Sequence, residues 1–145
     1  MKTFYACLLF VMILLLPNVP ALGDDLYTDA RDIMVKHADV MEGYITGLEN
    51  ADSAAACAAT IDAYTTGMED LIPRLKAFQE KYPALAMGTT DGQAPPEVEA
   101  QARRIEALGA RMPAATMNMM KFMEDPQVQA AMDRMSETME QMGTP

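Results

Sequence analysis

The chain has no tryptophan, one histidine and two cysteines, and aromatics make up 6% of its 145 residues. Each scarcity removes a class of chemistry. A nucleophile triad built on imidazole has only His37 to use. Covalent haem needs a CxxCH pair and thiol–disulfide chemistry needs CxxC; neither occurs, nor do HExxH or a glycine-rich phosphate loop. No run beyond the first twenty residues is apolar enough to span a bilayer, which takes roughly 20 residues.

The first 23 residues are set apart from the rest. Lys2 supplies a positive start, residues 6–16 (ACLLFVMILLL) are apolar throughout, and Pro17 and Pro20 break any helix. Ala21 and Gly23 then place small residues at a cleavage site. This pattern predicts a secretory signal peptide over 1–23 and a single domain over 24–145, periplasmic or secreted. Cys7 leaves with the signal, and the lone Cys57 cannot form an internal disulfide, so a hydrophobic core must hold the domain.

Charge narrows the partners. Without Lys2 the remaining 10 basic and 21 acidic residues give a net −11. Phosphate backbones and anionic lipid repel such a chain, which argues against nucleic acid and leaves cations or basic proteins electrostatically acceptable. An unidentified protein partner or a homo-oligomer stays open on other grounds.

What the chain has in abundance is methionine. Nine of its fifteen fall in 112–142, and Met132, Met135, Met139 and Met142 follow one another at the spacing of a single helical stripe. Apolar periodicity predicts four helices. The first covers about 25–49, with Tyr27, Ala30, Met34, His37/Ala38, Met41, Tyr44/Ile45 and Leu48 inward. The second covers about 53–81, capped by Asp52 or Ser53, with Cys57, Ile61, Tyr64, Met68, Leu71, Leu75, Phe78 and Tyr82 inward. Residues 83–95 read as a loop. Pro96 opens a third helix to about Glu124, and Asp125-Pro126 starts a last one over 126–142. Gly67/Pro73 and Gly109/Pro113 predict kinks in the second and third helices. No stretch alternates with period two. The expected fold is all-α, an antiparallel up-down-up-down four-helix bundle.

Carboxylates fall on outward faces, a solvated surface rather than paired acid–base groups, so no catalytic residue is assigned. Two functional readings remain. In the first, the methionine seam packs the bundle or docks a partner helix, making a non-enzymatic interaction module. Met117 belongs to this reading because it points about 140° away from the stripe at 100° per residue, toward solvent. In the second, thioethers and one imidazole bind a soft ion, Cu(I) or Ag(I). Counting levels along antiparallel helices puts Met34, His37, Met68, Met119 and Met132 in one layer. Cys57 is expected to be buried and inert.

The layout is similar to that of the small periplasmic four-helix cytochromes, with the segment Asn50–Ala55 (NADSAA) at the first turn. The similarity is one of architecture. A b-type haem, the third reading, would need His37 and Met132 as axial ligands.

Overall fold

The computed structural model describes residues 24–82 and 95–142. Among them are four α-helices and no strand: α1 (Asp24–Asn50), α2 (Ala54–Lys81), α3 (Pro96–Met119) and α4 (Pro126–Met142), with a short 3₁₀ turn, Met120–Phe122, between the last two. The all-helical expectation therefore stands for these residues. The signal segment and the middle loop lie mostly outside the described residues.

Local chemistry explains the ends. Ser53 is extended, and its hydroxyl accepts from the Ala56 amide at 3.3 Å, capping α2. Pro96 stands at the start of α3, where a missing N–H costs nothing, with Glu97 and Glu99 at the positive end of the dipole. The Asp125 carboxylate accepts from the Gln127 amide at 2.8 Å and starts α4. The third helix does not continue as α-helix to Glu124: the backbone tightens after Met119 so that the chain can reverse toward Pro126. Pro73 and Pro113 lie inside continuous helices on exposed faces, where water can meet the carbonyls they leave unbonded.

Residue pairs act as a ruler for how the helices lie. Between α1 and α2, Asp29 meets Lys81, Tyr44 stacks obliquely on Tyr64 at 4.5 Å between centroids, and Gly47 abuts Thr60. One number rises as the other falls, so these two run in opposite directions. Between α1 and α3 the numbers rise together. Arg104 binds Asp39 at 2.8 Å and also Glu42, Arg111 binds Glu49 at 2.6 Å, and Asn118 reaches Leu48 and Ala51. Between α2 and α4 they also rise together, Asp62 with Arg134 and Glu69 with Thr138. The most extensive packing is between α1 and α3, which run the same way; α2 packs about equally on α4 and on α1.

The main core is the cluster of Ala38, Ile45, Leu48, Cys57, Ile61, Leu108, Ala115, Met119, Val128 and Ala131 toward the end where α1 turns into α2. A second cluster, with Leu26, Ile33, Met68, Leu71 and Phe78, occupies the other end of the α1·α2 seam. Met34 and Val98 form a third on the α1·α3 side.

The Asn118 carboxamide deserves a test of its own. Its Nδ2 donates to the Leu48 carbonyl at 2.6 Å and the Ala51 carbonyl at 2.9 Å, satisfying acceptors that the end of α1 leaves open. Asn118→Ala should lower unfolding free energy by about 1–2 kcal/mol, read from urea denaturation. A change near zero would mean that water replaces the amide without loss.

Candidate functional site

The five residues expected in one layer do not share a level. Met34 is 1% exposed and packs with Val98; Met68 is 3% exposed and packs with Leu71 and Ile33. His37 is half-buried on α1. Met119 and Met132 belong to the main core instead, and the Tyr44 hydroxyl lies 3.9 Å from the Met119 sulfur. That sets Met119 beside residues 44–51 of α1, about two to four helical turns from His37 at 1.5 Å per residue. The direction is the expected one; the level is not. The 17-residue last helix starts beside the start of α2 and stops part-way along it, so Met132 sits near the level of Asp62, about two turns or more from that of His37. The structure puts Met119 and Met132 in one core cluster, and keeps Met34, His37 and Met68 near a different level, where Gly67 abuts Val40.

Around Met119 and Met132 the half-buried Met41, Met112, Met123 and Met135 pack on the same cluster, as does Phe122. This is a thioether-rich core end, bounded by the fully buried Cys57. Burial pushes the Cys57 thiol up, which keeps it protonated and unreactive, and it pushes the Tyr44 phenol up as well.

His37 faces the opposite push. Burial in the helix seam lowers its imidazole below the ordinary range, so the folded protein holds the neutral form. The unfolded chain, with a pKa near 6.5, takes up the proton first as pH falls. The stability contributed by neutral His37 is therefore complete above about pH 6.5 and is lost as pH falls toward the depressed folded value. Lowered carboxyls such as Asp29, held by Lys81 and Tyr82, and Glu49, held by Arg111, act in the same direction only from about pH 4.5 downward. Between pH 6.5 and 5, unfolding free energy should fall by up to about 1.4 kcal/mol per pH unit, and His37→Gln should flatten that slope. An unchanged slope in the variant would assign it to another group.

Sequence reasoning missed a polar groove of about 410 Å³ between α2 and α4, lined by Asp62, Thr65, Glu69, Arg134, Glu137 and Thr138. Arg134 grips Asp62 through both carboxylate oxygens at 2.7 and 2.9 Å, and Thr138 donates to Glu69 at 3.3 Å. Two of its acids, Asp62 and Glu69, are thus engaged with an arginine and a hydroxyl. Among the described residues no group of three His, Cys, Asp or Glu side chains is placed to hold a metal ion. The signal for the groove was present: Thr65 and Thr138 occupy buried stripe positions, 6% and 4% exposed, where an apolar residue would be expected.

The other departure from a closed bundle is on the outer face where α3 passes into the 3₁₀ turn. Met117 is 71% and Met120 65% exposed, and these are the exposed large hydrophobic side chains among the described residues. Pro113 and Ala114 are exposed one turn earlier. The expectation that Met117 points away from the stripe matches its position. No described helix is long and apolar enough to cross a membrane. Comparison with protein-family models, with curated proteins and with solved structures gives no match for this chain.

Proposed function

We propose that the chain is exported through its 1–23 signal segment and works, as residues 24–145, as a non-enzymatic interaction module of the periplasm or exterior, an up-down-up-down bundle kinked at Gly67/Pro73 and Gly109/Pro113. The observation that carries this reading is the Met117/Met120 face: two flexible thioether side chains kept in water at one end of a helix whose other methionines turn inward. Methionine suits such a face because it is unbranched and polarizable and adapts to a partner's shape. The acidic charge favours cations or basic protein partners over nucleic acid.

The experiment compares the protein with Met117→Glu/Met120→Glu. Sedimentation velocity over a hundredfold concentration range reads self-association, and binding of the dye ANS reads exposed apolar surface. The reading expects concentration-dependent association or dye binding that the double variant abolishes. A protein that stays monomeric and binds no more dye than the variant would overturn it.

A soft-metal reading is favoured by a different observation: six methionines, Met41, Met112, Met119, Met123, Met132 and Met135, lie in or against one core cluster. Cu(I) would then be held by sulfurs at that end of the bundle, without His37. A Cu(I) competition titration tests it, with Met132→Leu expected to weaken binding while helicity is kept.

A further inference from the structure

We propose that Met117 and Met120 are the most oxidant-reactive sulfurs among the described residues, taking up one oxygen each from a peroxide-class oxidant while the bundle stays folded. The inference goes beyond the interaction reading and does not need it. In the step, a thioether lone pair attacks one oxygen of the peroxide. The O–O bond breaks as the S–O bond forms, and the departing hydroxide collects the released proton and leaves as water. Sulfur is oxidised by two electrons to the sulfoxide and the peroxide is reduced by two.

The selectivity follows from where the sulfurs stand. That step needs open approach to sulfur, and Met117 and Met120 are 71% and 65% exposed, against 1% for Met34, 3% for Met68 and 8% for Met119. The stretch Met117–Met120 thus sends two sulfurs outward and one inward, where the Tyr44 hydroxyl lies 3.9 Å from the Met119 sulfur.

The products differ as much as the access. A sulfoxide is a polar, hydrogen-bond-accepting group. At Met117 or Met120 it stands in water. At Met34, Met68 or Met119 the same group would be buried among apolar side chains and would destabilise the fold. The exposed pair can therefore cycle between thioether and sulfoxide without unfolding, which turns an apolar face into a polar one and back under a sulfoxide reductase.

Dilute hydrogen peroxide is the probe, with samples quenched over time and oxygen uptake localised by fragmentation mass spectrometry. Met117 and Met120 should oxidise about tenfold faster than Met34, Met68 and Met119, with the helical circular dichroism unchanged when the pair is complete. In guanidinium the five rates should converge. Met117→Leu/Met120→Leu should lose the two fast equivalents and leave the slow ones as they were. Equal rates for the five sulfurs in the folded protein, or loss of helicity in step with oxidation of the pair, would overturn the proposal.

Discussion

Alanine at Met119 is expected to cost about 2–5 kcal/mol of folding free energy, whereas alanine at Met117, two residues earlier, leaves stability within about 0.5 kcal/mol. Both remove the same atoms. What differs is the space left behind. Met119 is 8% exposed within the main core, against the Tyr44 hydroxyl and among residues of several helices, so its removal opens a cavity that close-packed neighbours fill only in part. The Met117 side chain is 71% exposed and leaves nothing but water. Met119→Leu, which conserves volume, should cost less than about 1.5 kcal/mol. The measurement is urea denaturation of the three variants under common conditions. Equal losses at 117 and 119 would mean that the helix is rotated from the orientation described.

The second large effect is expected at Gly47. A Cβ built there would lie 2.6 Å from both Cγ2 and Oγ1 of Thr60, while a Cβ at Gly43, one turn earlier on the same helix, meets nothing within 4 Å. Thr60 has little freedom to yield, because it is β-branched and its hydroxyl donates to the Ala56 carbonyl at 2.9 Å. Gly47→Val forces two further methyl groups into that contact and should destabilise by about 3 kcal/mol. Gly43→Val should be neutral or slightly stabilising, within about 0.5 kcal/mol, since any β-branched residue suits a helix somewhat better than glycine. The pair separates close approach from helix propensity. If both substitutions behave alike, the α1·α2 seam is wider at Gly47 than described. Gly67 has the same role on the facing helix: a Cβ there would lie 2.8 Å from Val40 Cγ2. In the sequence that glycine reads as an interruption, but in the fold it is a point of close approach.

That reversal shows where the sequence was legible. Helix starts were, because they rest on local chemistry: the Ser53 hydroxyl, Pro96 at a first turn, and Asp125 before Pro126 all act within four residues. Most inward faces were legible too, since Ala30, Met34, Ile45, Leu48, Cys57, Ile61, Met68, Val98 and Val128 carry the period of a helix. The buried stripe of α4, however, is Val128, Ala131 and Thr138 with half-buried Met135, so Met132 and Met139 flank it. Leu26, Ile33 and Ile72 are buried beside the expected stripes, because each helix packs against more than one neighbour and needs a wider apolar face. Levels between the two hairpins were not legible. They depend on how residues 83–94 lead from one hairpin to the next, and no periodicity speaks to that. The supposed layer of Met34, His37, Met68, Met119 and Met132 divided at this step: Met34, His37 and Met68 keep one level within the first hairpin, and Met119 and Met132 share a core cluster at another.

The side-by-side helices also bear on how the chain finds its fold. Arg104 and Glu42, Arg111 and Glu49, Arg134 and Asp62, and Asn118 and Leu48 are separated by 62 to 72 positions along the chain. The broadest interfaces therefore form only after half the chain has been looped back, and the entropy of that closure precedes most of the gain. A bundle whose largest contacts joined consecutive helices would avoid this delay. Here the first hairpin has a core cluster of its own, but α3 and α4 bury their apolar faces chiefly against it, which makes the search slower than helical content alone suggests and ties the two halves into one cooperative unit.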